Sequence, residues 1–102
     1  MDFKRISPAQ ANSLLEQGCQ IIDIRDALSY QAGHLPNAIL IDNSNVQNFL
    51  AEANKQTPVL VYCYHGMSSQ SAAAYFAEQG FQEVYSLEGG YEVWKLNFPT
   101  ES

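Results

Sequence analysis

The chain has 102 residues, 46% hydrophobic, 12% aromatic and 16% charged, which suits one compact domain over residues 1–102 and is too apolar for a disordered segment. Five Lys and Arg against eleven Asp and Glu leave a net charge of −6. The basic residues Lys4, Arg5, Arg25, Lys55 and Lys95 form no footprint for nucleic-acid phosphates, and an anionic membrane surface would repel the chain. Ser7-Pro8-Ala9-Gln10 opens a helix, with Ser7 as N-cap, Pro8 at the first helical position and Gln10 closing a capping box. Ala11, Leu14 and Leu15 supply its apolar stripe, and Gly18 fits the position just past its end. Gln20 to Ile24 is short and β-branched and reads as a strand. Pro36-Asn37 marks a turn, and Ala38 to Ile41 reads as a second strand. Ser44 to Ala53 reads as a helix with Val46, Phe49, Leu50 and Ala53 on one face.

After the breaker Thr57-Pro58, the run Val59-Leu60-Val61-Tyr62 has no polar alternation, as in a parallel strand covered on both faces. It ends at Cys63. The polar loop Tyr64-His65-Gly66-Met67-Ser68 follows, then an Ala-rich helix from Ser69 to Gln79 capped by Gly80, whose alanines let it lie close to a sheet. Val84-Tyr85-Ser86 is another short strand, Gly89-Gly90 a turn, and Tyr91 to Asn97 a last helix before Pro99. Strand and helix alternate throughout, so the expected fold class is α/β, a mainly parallel central sheet flanked by helices on both faces.

No apolar run nears the roughly 20 residues of a membrane-spanning helix, and Met1-Asp2-Phe3-Lys4 lacks the character of a secretory signal. A cytoplasmic location is the expectation. Two cysteines, Cys19 and Cys63, imply no bridge in a reducing compartment. They form no C-x-x-C pair, and no structural-zinc spacing exists.

Ligands of open α/β sheets bind beyond the carboxyl ends of strands, which is where Cys63 falls. The loop after it leads into a helix N-terminus, so free backbone N–H groups and the helix dipole surround one sulfur. A thiol of pKa about 8.5 is lowered by such surroundings, and Gly66 can supply the positive φ that a backbone curling round an anion needs. A lone Cys after an apolar strand is as readily a small buried residue; a Gly and two Ser before a helix tilt the balance towards function.

The segment Cys63-Tyr64-His65-Gly66-Met67-Ser68-Ser69 resembles the active-site loop of the rhodaneses, sulfurtransferases, and is most similar to that of their single-domain thiosulfate sulfurtransferases. Asp23-Ile24-Arg25-Asp26 with Tyr30 and Gly33-His34-Leu35-Pro36-Asn37-Ala38 is similar to the family's N-terminal signature. Ser86-Leu87-Glu88-Gly89-Gly90-Tyr91-Glu92-Val93-Trp94 is similar to its C-terminal Gly-Gly-x-x-x-Trp segment. Three blocks in order run nearly end to end, and the resemblance implies a single rhodanese-like domain. It also implies that Cys63 attacks the sulfane sulfur of thiosulfate, releases sulfite and keeps a persulfide, which a thiol or cyanide acceptor then removes. The implied binding residues are Tyr64, His65, Gly66, Met67, Ser68 and Ser69, whose amides would cradle the anion as an oxyanion hole does. No metal or organic cofactor is implied. The implied partners are a small sulfur donor and a thiol acceptor, thioredoxin or another sulfur-accepting protein among them.

Many relatives carry Arg or Lys at the end of this loop. Here the position is Ser68, and His65 is the only loop side chain able to carry positive charge, so weak thiosulfate affinity is expected. A persulfide carrier or interaction module serving a protein partner is the alternative this departure keeps open. A cysteine phosphatase would need C-x5-R, and the fitting position is Ser69, which lacks the fork of donors a phosphate requires. His34 reads as a structural hydrogen-bonder near Asp23 or Arg25, Arg25 and Asp26 as a local ion-pair turn, and Tyr91, Trp94 and Phe98 as core packing. Cys19 lies away from the signature loop, and the absent G-x-S-x-G elbow argues against a serine nucleophile at Ser68, Ser69 or Ser71.

Overall fold

A computed structural model of the protein describes residues 2–102. Strands and helices alternate in the order β1 (Lys4–Ile6), α1 (Pro8–Gln17), β2 (Gln20–Asp23), α2 (Ala27–Ala32), β3 (Ile39–Leu40), α3 (Val46–Glu52), β4 (Val59–Tyr62), α4 (Ser68–Glu78), β5 (Val84–Leu87) and α5 (Gly90–Asn97). One sheet of order β1-β5-β4-β2-β3 holds all five strands, and every pairing is parallel.

The sequence explains the centre of that sheet. All four residues of β4 are buried, and it pairs with β2 from Gln20↔Val59 to Asp23↔Tyr62 and with β5 from Val59↔Val84 to Val61↔Ser86. Alternate side chains feed two cores. Leu60 and Tyr62 join Ile6, Ala11, Leu35, Leu87 and Trp94 on one face, while Val59 and Val61 join Ile22, Ile41, Ala73, Phe76 and Phe81 on the other. Helices α1 and α5 therefore cover the first face and α3 and α4 the second, as the period-2 alternation of a strand requires. Ala73 lets α4 approach the sheet closely and is fully buried. Each large side chain sealed this way is worth about 1.5–3 kcal/mol.

The first helix starts as its sequence predicts. Ser7 Oγ accepts from Gln10 N at 3.2 Å, and Ser7 N donates to Gln10 Oε1 at 2.9 Å. Elsewhere the boundaries move. The strand expected over Ala38 to Ile41 is only Ile39–Leu40, because Ala38 N closes a turn onto Leu35 O. The helix expected from Ser44 begins at Val46, since Ser44 is held in an Asp42-centred turn. Helix α4 begins one residue earlier than the spacing suggests, and Gly80, at φ +101°, follows its end.

Chain connections leave β2 and β4 in opposite directions: β2 continues through α2 to β3, and β4 through α4 to β5. This is a topological switch point, where the carboxyl ends of neighbouring strands leave a crevice. Cys63 ends one of those strands and Ile24-Arg25 the other.

Candidate active site

Cys63 lies where β4 stops and is 4% exposed. Its Sγ accepts hydrogen bonds from Gly66 N and Ser69 N, each at 3.2 Å. The backbone reaches this shape because Gly66 adopts φ +89°, a value few side-chain-bearing residues adopt. A Cβ there would also lie 2.8 Å from Gly89 N. Gln70 Nε2 donates to Gly66 O at 2.9 Å and fixes the same peptide from the other side.

A second layer holds the loop from behind. Tyr91 N donates to Cys63 O at 2.9 Å and Glu92 N to Tyr64 O at 3.1 Å. The N-terminal amides of α5 thus engage the carbonyls of the Cys63–Tyr64 segment. Gly90, at φ +63°, makes that approach possible: a Cβ on it would fall 2.6 Å from Cys63 O and 2.5 Å from Tyr64 O. The Gly89-Gly90 pair is therefore a docking point for the cysteine loop as well as a turn, which its place in the sequence alone does not reveal.

The electrostatics follow from these contacts. Burial works against ionisation of Cys63. The Ser69 hydroxyl and the amides of Ser69, Gly66 and His65 outweigh it, and the thiol pKa falls below its ordinary value. Cys19 has burial without donors, and its pKa is pushed up to about 11.

Of the loop residues singled out in the sequence, the structure brings Gly66 and Ser69 onto the sulfur through their amides. Tyr64, His65, Met67 and Ser68 are exposed around it; Met67 is 73% exposed. Tyr64 OH donates to Asp26, whose carboxylate also caps α2 by accepting from Ser29 N at 2.8 Å. These bonds, the tyrosine's foremost, hold Asp26 at a pKa of about 2.

Two readings of neighbouring residues are corrected. Arg25 and Asp26 do not pair. The Arg25 guanidinium instead grips Asp23, with Nη2 at 2.6 Å and Nε at 3.0 Å, donates to Gly33 O at 2.6 Å and lies 4.1 Å from the Tyr91 ring centre. Both residues are buried, and Tyr62 OH adds a bond to Asp23 at 2.5 Å. The two-residue spacing lets one turn close the bidentate pair, which the adjacent Asp26 cannot do. His34 is a structural hydrogen-bonder, yet its partner is Tyr30 O at 2.8 Å, with its ring stacked on Tyr30 and its backbone bridged to Glu101. Trp94 is fully buried and stacks on Phe98, and half-buried Tyr91 packs against the same core while its ring also faces Arg25.

A cavity of about 560 Å³ between α3 and α4 is lined by Ile41, Val46, Ala72 and Phe76 among others and does not include Cys63. Two backbone donors converge on one sulfur at the cysteine loop, which makes it the better candidate. The site can hold a thiolate and, with one more sulfur, a persulfide anion. It offers that charge backbone amides, and of the described cations near it Arg25 is neutralised by Asp23 and Lys95 pairs with Glu92 at 2.7 Å.

A rhodanese-like domain model matches residues 7–97. Among curated relatives, the chain is 52% identical over 100 residues to the thiosulfate sulfurtransferase GlpE of Pseudomonas fluorescens, covering 98% of this chain and 92% of that one. It is 48% identical over 101 residues to the protein of the same name from Pseudomonas savastanoi pv. phaseolicola, covering 99% and 95%. Among solved structures, the rhodanese-like domain of the Anabaena sp. Alr3790 protein superposes with a TM-score of 0.83 at 27% identity, covering 100% of this chain and 80% of that one. A rhodanese-related protein from Thermoplasma volcanium superposes with a TM-score of 0.82 at 22% identity, covering 97% and 98%, and shares the fold.

Proposed function

The chain belongs to the rhodanese-like domain family, and we infer from that membership that it is a thiosulfate sulfurtransferase whose transferred sulfur rides on Cys63. The observation that carries the inference is the sulfur of Cys63 facing two backbone amides at 3.2 Å. In the first half-reaction the Cys63 thiolate attacks the sulfane sulfur of thiosulfate. A sulfur–sulfur bond forms at Sγ, the bond to the SO3 group breaks, and its electron pair departs with sulfite. In the second, cyanide or a thiolate attacks the outer sulfur, and the electron pair of the breaking bond returns to Cys63 as thiolate. Each half-reaction is a displacement in which the attacking pair and the departing pair balance, so the chemistry calls for no metal or organic cofactor. Covalent catalysis of this kind divides one hard displacement into two easier ones.

The role proposed for the loop is electrostatic. Gly66 and Ser69 hold the anionic sulfur with fixed donors, and Tyr64, His65, Met67 and Ser68 border the donor's approach, with His65 the one loop side chain that can turn cationic. Two unpaired thiols favour a reducing compartment, the cytoplasm. Among the described residues no helix is long and apolar enough to cross a membrane.

Cys63→Ser is expected to abolish thiocyanate formation from thiosulfate and cyanide. Wild-type turnover in that variant overturns the assignment. Ser68 in place of a cation, and the exposed Tyr64 and Met67 beside it, favour a protein thiol over a small molecule as the natural acceptor. A sulfur carrier serving one partner is the second reading. Kinetics with a thiol panel that includes thioredoxin separates the two: negligible thiosulfate turnover with fast transfer to one protein thiol selects the carrier.

A further inference from the structure

The glycine that donates to the reactive sulfur is held at its other end by one side chain. Gly66 is buried, and its N–H meets Cys63 Sγ at 3.2 Å. Its carbonyl accepts from Gln70 Nε2 at 2.9 Å, the one hydrogen bond it receives from the described residues. In a regular helix the backbone N–H of Gln70 would take that carbonyl, four residues back. Here the chain leaves the helical path at Gly66, φ +89°, and Gln70 N bonds Met67 O at 3.2 Å instead. Helix α4 also starts without a capping side-chain bond from Met67. The half-buried Gln70 carboxamide thus stands in for a missing backbone bond, and the sulfur-transfer chemistry above gives it no part.

We propose that Gln70 is a positioning residue, whose side chain grips the Gly66 carbonyl and so keeps the Gly66 amide aimed at Cys63 in both the sulfur-free and the sulfur-loaded protein. Glycine has the widest backbone freedom of any residue, so a glycine that must keep one conformation needs its peptide groups fixed from outside. The β5–α5 turn closes one side of Gly66, with Gly89 N 2.8 Å and Leu87 O 3.1 Å from where a Cβ would stand. That packing sets where the residue lies and leaves the tilt of its peptides to their hydrogen bonds. Only two soft dihedrals part the N–H from the carbonyl. Without Gln70 the buried carbonyl would lack a partner, and its rotation towards water would carry the N–H off the sulfur.

The consequence for turnover rests on the sulfurtransferase reading. A thiolate holds the Gly66 amide with a bond roughly twice as strong as a neutral acceptor would. In the persulfide the charge sits on the outer sulfur, and Sγ holds that amide less firmly. The bond from Gln70 to the Gly66 carbonyl does not depend on the sulfur's charge. It keeps the amide in place until the acceptor attacks the outer sulfur, the sulfur–sulfur bond breaks and its electron pair returns to Sγ. A donor already in position requires no reorganisation at that moment, and a thiol of lower pKa leaves faster from a sulfur–sulfur bond. Gln70 thereby acts on the chemistry through Gly66 without touching the reacting atoms.

The test is the pH dependence of Cys63 alkylation by iodoacetamide in a Cys19→Ser background, which needs no sulfur transfer. Gln70→Met, of similar length but with no donor, is expected to raise the Cys63 pKa by about 0.5–1 unit, as loss of a fraction of one charge-assisted hydrogen bond implies. Ser71→Ala, an exposed change in the same turn of α4, should leave that pKa at its wild-type value. Amide hydrogen exchange read by NMR should quicken at Gly66 by about threefold or more in Gln70→Met and stay unchanged at Val61 in β4. Unloading of the persulfide to cyanide should slow by about two- to threefold in Gln70→Met. An unchanged Cys63 pKa in folded Gln70→Met, Gly66 exchange no faster than in wild type, or an equal pKa rise in Ser71→Ala overturns the proposal. The expected pKa and exchange changes in a protein that forms no thiocyanate would count against the sulfurtransferase reading instead.

Discussion

Two thiols in one small domain are driven in opposite directions by their surroundings. Cys63 is buried yet accepts from two backbone amides, and its pKa falls; Cys19 is half-buried among apolar groups, and its pKa rises to about 11. Iodoacetamide is therefore expected to label Cys63 well before Cys19 near pH 7.5, as peptide mass mapping of a time course reads out; equal labelling contradicts the arrangement. The linked stability has a definite sign. A thiol whose folded pKa is raised stabilises the fold fully below its unfolded value and loses that contribution as pH rises through the folded one. Cys19 thus weakens the protein from about pH 9 towards 11, and Cys19→Ser should flatten the alkaline decline in melting temperature. At this scale much was legible: the place of Cys63 after an apolar run, and Gly66 as the positive-φ residue, follow from residue type and order. The Asp23–Arg25 grip was not, because Asp26 is an equally plausible neighbour on paper and only the turn after β2 decides between them.

The helices and strands differ in how much of themselves they announce. Helix α1 declares its start by Ser7, Pro8 and Gln10, and β4 by an unbroken apolar run. By contrast β1 (Lys4–Ile6) has only Ile6 buried, and α2 (Ala27–Ala32) has no buried residue at all. An edge strand with Lys4 and Arg5 exposed has no alternation to read, and a six-residue helix completes too few turns for a periodic stripe. Both elements matter all the same, since α2 presents the Asp26 cap that receives the Tyr64 hydroxyl. The segment least expected to serve the site is the start of α5, whose amides hold the Cys63 and Tyr64 carbonyls. Gly90→Ala would press a Cβ against both those oxygens and force a residue into a left-handed conformation. The expected cost is more than about 2 kcal/mol, measured by urea unfolding, with slower alkylation of Cys63. A variant of wild-type stability and reactivity would show that α5 does not hold the loop.

Across the whole molecule, the parallel sheet sets the chemistry by its connections. The chain leaves β2 and β4 in opposite directions, and the resulting crevice receives the cysteine loop. Strand–helix alternation made that architecture legible before any coordinates, whereas strand order was not, because long-range pairing depends on which apolar faces meet. Net charge acts on the same scale. A chain of charge −6 whose nearby cations Arg25 and Lys95 are paired repels the thiosulfate dianion, so sulfur loading at subsaturating thiosulfate should speed up as neutral salt screens the field from about 0.01 to 0.15 M; slower loading would reveal an attractive field. The most direct measurement is the mass of the Cys63 peptide after thiosulfate treatment and again after cyanide. The account predicts one added sulfur atom on Cys63 that cyanide removes as thiocyanate. Thiocyanate formed while Cys63 never gains that mass would contradict it.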